Sequence, residues 1–314
     1  MENHRPDGLD FDIIRQLRED GRRPAKTIAL ALGITEATVT SRINALSEAN
    51  VMRVMAQRNV THLKTRLFCF IRVWIRGRSA QDVATDIAAF SGAGSVMLMM
   101  GSPEIHITAL VEDNDGLLAL LQDHIAQVDG VARLDACVTL RAYKYRYDVV
   151  VLNSALSLGE PQGDPLDDAI VHQLQLDGRI SNREIGRVLD VSASTIRERV
   201  NRMLANRQIH IGAVCDYRKI GFEIAAMAYL QVEPARIKQA LKHLMERKEI
   251  GQVSAISGSS NIYVILAARS LEDLFSIVRL TLETTPGVIE STVSLVTQSI
   301  KHRADLISLV ESPD

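Results

Sequence analysis

The chain carries one pattern twice at a constant spacing. Asp20-Gly21-Arg22 recurs as Asp177-Gly178-Arg179, an offset of 177 − 20 = 157 residues. The same shift brings Thr38 onto Thr195, Arg42 onto Arg199, Asn44 onto Asn201, Gly101-Ser102 onto Gly258-Ser259 and Gly130-Val131 onto Gly287-Val288. The register holds from near residue 9 to near residue 144 without net insertion. A period this long is a whole domain pair, because solenoid repeats run only roughly 20–50 residues. Whatever one copy does, the molecule is built to do it as a pair.

Read with the repeat, a length of 314 residues implies four small domains. Their expected bounds are 1–58 and 59–150 in the first copy, a linker over 151–165, then 166–215 and 216–304. Apolar residues make up 46% of the chain, enough for packed cores, and the formal charge is only −2. That balance excludes a sheath-like polycation, so any nucleic-acid contact must come from a local basic patch. No apolar run reaches the roughly 18 residues of a membrane span. Met1 to Asp10 is polar and acidic without a hydrophobic signal region, which gives a cytoplasmic expectation.

Cys69, Cys137 and Cys215 are odd in number, far apart and flanked by apolar residues. They read as buried reduced thiols with neither a disulfide framework nor zinc spacing. The histidines show no paired metal-ligand spacing, and His106 and His243 read as packing or surface residues. Nucleophilic triads, phosphate loops and convergent carboxylate pairs are not apparent. No catalytic residue, metal or cofactor is therefore expected.

Each copy has a helical front. Phe11, Ile14 and Leu17 follow a helical stripe that Gly21 breaks. A short helix from about Pro24 to Ala31 starts on a proline, whose missing N–H is harmless there. Leu32-Gly33-Ile34 turns, and Thr35 caps a third helix burying Val39, Ile43 and Leu46 at i, i+4 and i+7. The second copy matches through Ile170 and Leu174, the break at Gly178, the turn Leu189-Asp190-Val191, the cap Ser192, then Ile196, Val200 and Met203. Asp190 replaces the turn glycine, and Asp visits positive φ more readily than most residues.

Behind each front the periodicity changes. Arg66 to Trp74 is rich in aromatic and β-branched residues and reads as a strand. A helix over Ser79 to Phe90 follows. The runs Ser95 to Met100 and Ile105 to Val111 flank Gly101-Ser102-Pro103-Glu104 as a hairpin. A helix from about Gly116 to Val128 and a strand from Val131 to Tyr143 complete β-α-β-β-α-β, which the second copy repeats. This order is a ferredoxin-like α+β sandwich with one helix-covered sheet face. The other face needs a cover, so sheet-to-sheet pairing is expected.

A capped helix after a tight turn fits the DNA major groove, where residues near its N-terminus reach base edges. With the apolar seam buried, Thr38, Thr40, Ser41 and Asn44 face outward. The second copy has Ser194, Thr195, Arg197 and Asn201 there, with Glu198 and Arg202 alongside. Arg22, Arg23 and Lys26, matched by Arg179, Ser181 and Arg183, are expected at phosphates. Arg42 and Arg199 flank the buried face, so both a phosphate contact and an internal helix-to-helix bond stay open for them. Thr35 and Ser192 complete the candidate interface as caps.

The stretch LDDAIVHQLQLDGRISNREIGRVLDVSASTIRERVNRMLANRQIHIGAVCDYRKIG resembles the N-terminal domain of the Lrp/AsnC (feast/famine) transcriptional regulators. The following β-α-β-β-α-β resembles their effector-binding and assembly domain. The first copy is similar more loosely, through LDFDIIRQLREDGRRPAKTIALALGITEATVTSRINAL. The resemblance implies two tandem winged/helix-turn-helix domains, each followed by a ferredoxin-like effector and oligomerisation domain. It implies double-stranded DNA as partner, a small-molecule effector such as an amino acid, and homo-oligomers through the α/β domains. Carried over, the effector site involves Gly101, Ser102 and Glu104 with Gly258, Ser259 and Asn261. The family commonly has Asp where Glu104 and Asn261 stand. A turn-only role for the two glycines is the alternative.

Two other classes compete. Sirohaem decarboxylases resemble this family in fold and tandem fusion, with His and Arg residues around the second strand holding a tetrapyrrole. Here those segments read GSVMLMMGSPEIH and GQVSAISGSSNIY, without a His–Tyr–Arg cluster, and the methionine run reads as sheet core. A weakly specific architectural DNA binder is disfavoured by the near-neutral charge, since non-specific affinity is mostly phosphate neutralisation. Two unlike heads predict a non-palindromic operator, with half-sites about 10 bp or a multiple apart.

Overall fold

The structure is a computed structural model describing residues 5–59, 62, 67–145, 149–150, 155–156, 163–302 and 304–307. Most of the expected linker, and Arg66 at the start of the first expected strand, lie outside the described residues.

The first head is α1 (Gly8–Glu19), α2 (Ala25–Leu32) and α3 (Glu36–Glu48); the second is α6 (Pro165–Leu176), α7 (Asn182–Leu189) and α8 (Ala193–Ala205). Asp7 caps α1 by accepting from the Asp10 N–H, while Asp10 accepts in return from the Asp7 N–H. Gly33 and Asp190 both adopt the left-handed conformation expected of the turn. The apolar stripe of α1 is rotated from the sequence expectation. Ile13, Ile14 and Leu17 are buried, while Phe11 is 43% exposed. Asp10 occupies the buried face, and Phe11 follows it roughly 100° around the helix.

The heads are joined by a strand pair that the helical reading did not contain. β1 (Met52–Asn59) runs antiparallel to β8 (Ile209–Asp216), with Met55 opposite Gly212. Since 212 − 55 = 157, a pseudo-twofold axis passes through that pair. The winged expectation is corrected here: each head supplies one strand, which pairs with the strand of the other head. The Gly21 N–H donates to Ile211 O at 2.8 Å, and the Gly178 N–H donates to Val54 O at 2.9 Å. A Cβ on Gly21 would lie 2.6 Å from Val54 Cγ1, and one on Gly178 2.9 Å from the Met55 nitrogen. The repeated glycine therefore admits the other head's strand as well as ending a helix. One apolar core, containing Leu17, Ile28, Leu46, Leu174, Ile185 and Val200, runs through both heads.

The first α/β unit is β2 (Leu67–Ile75), α4 (Ala80–Ala88), β3 (Ala93–Met99), β4 (Ile105–Val111), α5 (Asn114–Ala119) and β5 (Val131–Tyr145). After α5 the helix continues through a π turn and a 3-10 turn to Gln127. The second unit is β9 (Ile224–Val232), α9 (Ile237–Met245), β10 (Ile250–Ile256), β11 (Ile262–Ala268), α10 (Leu271–Ile277) and β12 (Val288–His302). The sheets join at both edges, in the order β3-β4-β2-β5-β10-β11-β9-β12, and β12 returns to β3. The seams are equivalent, with Thr139 opposite Ile256 in one and Val296 opposite Met99 in the other. The result is a closed eight-stranded barrel without exposed edges at either seam. Its interior holds Phe70, Met97, Met99, Met227, Tyr229, Ile256 and Tyr263. The second sheet of the same chain thus covers the face left bare by the first.

Short strands tie each copy to the opposite head. β6 (Val149–Val150) pairs with β8, and β13 (Leu306–Ile307) pairs with β1, while β7 (Ala155–Leu156) runs beside the end of β12.

Candidate nucleic-acid interface and effector hairpins

The third helix of each head is positioned from its first residue. Thr35 accepts from the Thr38 N–H and Ser192 from the Thr195 N–H, both at 3.1 Å. Val39, Ile43 and Leu46 are buried beneath α3, as are Ile196, Val200 and Met203 beneath α8. Thr40, Ser41 and Asn44, and Ser194, Arg197, Glu198 and Asn201, remain exposed on the outer faces. The capping hydroxyls are committed locally: Thr35 pairs with Thr38, and Ser192 with Ser194 and Thr195, at 2.8 Å. Thr40 returns its hydroxyl to Glu36 O at 3.0 Å.

The arginines divide sharply. Arg42 donates to Asp7 at 2.7 Å and to fully buried Asp10 at 2.9 Å. Arg199 donates to Asp164 at 2.7 Å and Asp167 at 3.0 Å. Bonds from the backbone N–H of Asp10 and from Arg42 hold the Asp7 carboxyl below its usual range, and both aspartates raise Arg42. Of the two roles left open for Arg42 and Arg199, the structure gives them the internal one. They strut α3 against α1 and α8 against α6, where their charges are already met. Arg202, half-exposed, also donates to Asp167, at 2.5 Å.

Arg22 and Arg179, expected at phosphates, instead cross between the heads. Arg22 donates to Ile180 O at 2.6 Å and Asn182 Oδ1 at 3.0 Å; Arg179 donates to Gly21 O at 2.6 Å and Arg23 O at 3.3 Å. Burial first, then the Arg179 charge, lowers the Arg22 pKa. Arg23 bonds Gln16 and pairs with Glu19 at 3.3 Å. Ser181 caps α7, accepting from the Glu184 N–H at 3.1 Å in a capping box. For Arg22 and Arg179 the cause is that the two heads pack so closely that both meet carbonyls of the opposite copy, whereas Arg23 is held by Gln16 and Glu19 of its own head.

Lys26, Arg183 and Arg197 are exposed. Arg187, one turn after Arg183 on α7, is exposed too and was missed by the sequence reading. The i, i+4 spacing of Arg183 and Arg187 was the signal that would have found it.

The hairpin residues serve the barrel. Gly101 and Gly258 have φ of 94° and 117° and sit at the turns. Glu104 accepts from the Ile75 N–H at 3.2 Å. Asn261 accepts from the Val232 N–H at 3.0 Å and donates to Val232 O at 2.7 Å, and Val232 is the repeat of Ile75. Their polar groups finish the ends of β2 and β9, a structural role beside the expected effector-facing one. Ser102 and Ser259 are exposed. Each hairpin is clasped by the opposite copy, through Met100 N–H to Leu295 O at 2.8 Å and Ser257 N–H to Val138 O at 2.9 Å.

The barrel interior contains a polar group that neither hairpin segment displays alone. His106 Nε2 lies 2.8 Å from the Tyr229 hydroxyl, and the Arg72 guanidinium, bonded to Asp135, stands 4.5 Å from the Tyr229 ring centre. His106 also stacks on Tyr263, its repeat equivalent, at 5.7 Å. Burial pushes the His106 pKa down to about 3, and Nδ1 has no hydrogen-bond partner among the described residues. The cluster draws on β2, β4, β9 and β11, so no single segment could reveal it. Cys69 and Cys215 are buried and Cys137 is half-buried; burial raises Cys69 to about 12 and Cys137 to about 11. Among the described residues no His, Cys, Asp and Glu group is arranged to hold a metal, and no helix is long and apolar enough to cross a membrane.

Comparison with known proteins follows the same division. The AsnC-type helix-turn-helix domain model matches residues 7–47 and 164–204, and the Lrp/AsnC ligand binding domain model matches 68–149 and 225–306. An uncharacterized HTH-type transcriptional regulator of Pyrococcus abyssi is 35% identical over 114 residues, covering 36% of this chain and 72% of that protein. The HTH-type transcriptional regulator Ptr1 of Methanocaldococcus jannaschii is 33% identical over 113 residues, covering 35% and 76%. Among solved structures, the siroheme decarboxylase NirDL superposes with a TM-score of 0.66 over 97% of this chain and 96% of its own, at 14% identity. That is a likeness of fold.

Proposed function

This chain belongs to the Lrp/AsnC family of helix-turn-helix transcriptional regulators, and we propose that it reads an asymmetric operator with the second head dominant. One observation carries this reading: α7 and α8 expose Arg187 and Arg197 where α2 and α3 hold Leu30 and Thr40. Phosphate neutralisation supplies much of DNA affinity, and arginine is the commonest reader of guanine edges. The second head anchors through Arg183, Arg187 and Arg197. The first adds Lys26 and the neutral face Thr40, Ser41 and Asn44. Held beside its partner, the weak head binds at high effective concentration. A small molecule bound by the α/β pair modulates that binding, in the cytoplasm, and chains assemble through the outer α/β surfaces.

Footprinting on fragments selected from the source genome tests this. Stronger protection of one half-site is expected; equal sensitivity of two identical half-sites would count against it.

A second reading has support from the fold likeness and the Arg72–His106–Tyr229 group: a tetrapyrrole enzyme. The group is sealed between the sheets, with His106 and Tyr229 buried, which favours a packing role. A saturable shift of the Soret band on adding an iron tetrapyrrole to the purified chain, lost on replacing His106, would revive the enzyme.

A further inference from the structure

The barrel is filled unequally by its two copies. A cavity of about 190 Å3 is walled by β9–β12 of the second copy and by β3 and β4 of the first, and it reaches the head layer. Ala225 and Met227 line it. Their repeat equivalents are Phe68 and Phe70 (225 − 157 = 68; 227 − 157 = 70), and Phe70 is fully buried, stacked 3.8 Å from Tyr263. Two benzyl groups thus occupy in one copy what the other leaves open. An apolar cavity of about 150 Å3 accommodates benzene, so this one has room for a single ring or branched chain with a short polar end.

The walls decide the class of occupant. Met97, Met227 and Leu266 are apolar, while the buried polar side chains Ser95, Thr108 and Gln252 are neutral. Arg18, Lys248 and Glu249 supply the charge, and Glu249 already accepts from the Thr281 hydroxyl at 3.0 Å. His302, also lining the cavity, is buried and uncharged near neutral pH, its pKa pushed down to about 4. The lining is therefore net cationic.

We propose that this cavity binds one single-ring or branched-chain monocarboxylate per chain, with its apolar end against Met97 and Met227 and its carboxylate towards Arg18 and Lys248. The occupant would touch both layers at once. Arg18 belongs to α1 of the first head, and Tyr217, Ile220 and Phe222 to the connector leaving the second. The site itself does not rest on the DNA reading; only its consequence for DNA binding does.

Calorimetric titration of the full chain with phenylacetate, isovalerate, phenethylamine and phenylalanine tests the assignment. Saturable binding of an acid at one per chain is expected, at least tenfold tighter than the amine. Ala225→Phe and Met227→Phe, each the residue of the other copy, should weaken the acid at least tenfold without lowering Tm. Lys248→Gln, at an exposed position, keeps the test open should either filled variant fold poorly; it should weaken the acid and leave the amine unchanged. The proposal is overturned by absence of saturation with both acids, by tighter binding of the amine or the zwitterion, or by full affinity in the variants that fold. Loss of DNA modulation with acid binding intact would instead break the regulatory reading and leave the site standing.

Discussion

Where the second head presents Arg187, the first presents Leu30, 77% exposed, and where α8 presents Arg197, α3 presents Thr40. Beneath these surfaces the two heads agree closely: each has a capped third helix, an arginine strut to two aspartates, and a glycine receiving the other's strand. The comparison separates two pressures on a duplicated unit. In the head layer the contacts made across the pseudo-twofold axis match on both sides, because each glycine and each cross-head arginine is packed against the other copy. Outward faces meet only solvent or DNA, so they are free to diverge.

The largest effect is expected from breaking the shared part. Arg22→Ala with Arg179→Ala removes both cross-head clamps; charged hydrogen bonds contribute about 1.5–3 kcal/mol each. Urea denaturation should show that loss, while the salt dependence of DNA binding stays near wild type. A shallower salt slope with unchanged stability would return these arginines to the phosphates. Next, Arg197→Ala should cost about 1–3 kcal/mol of DNA affinity if it reads a base edge, whereas Thr40→Ala should change little in the same anisotropy titration. Equal losses would end the claim of unequal heads. Leu30→Arg sharpens it in the other direction. The added cation should steepen the log–log salt slope by about one and strengthen protection of the weaker half-site.

The smallest effect near neutrality concerns His106 and His302, which stand where the other copy has Tyr263 and Tyr145. Burial lowers their pKa values to about 3 and about 4, below the ordinary 6.5. The unfolded chain then binds more protons below pH 6.5, so stability is full above that value and declines as pH falls towards 4. His106→Gln should flatten part of this decline in denaturation measured at successive pH values.

Much of the fold was legible in the sequence. The caps Thr35 and Ser192, the seams of α3 and α8, and the left-handed turn at Gly33 and Asp190 depend on residues within a few positions of each other. Phe11 was misplaced because Asp10, a capping acid, takes the buried face. The strands over 52–59 and 209–216 were not anticipated, because their partners are distant in the chain: each other, and the short strands β13 and β6. Thr40, Ser41, Asn44, Arg183 and Arg197 are exposed as expected, but the internal bonds of Arg22, Arg42, Arg179 and Arg199 were not legible: an arginine beside a helix looks alike whether it meets a phosphate or the carbonyl of Ile180.

By itself the sequence determined the duplication, the order of elements and the charge difference between Arg197 and Thr40, since repeats, caps and periodicity act over short spans of chain. Only the tertiary structure decided that Arg22 meets residue 180, that Glu104 and Asn261 finish neighbouring strands, and that Ala225 leaves space where Phe68 fills it. Register across the pseudo-twofold axis brings Arg22 to a carbonyl 158 residues away, while pairing within each sheet brings Glu104 and Asn261 to strand ends 29 residues away; both are set by packing between elements and not by neighbours in the chain.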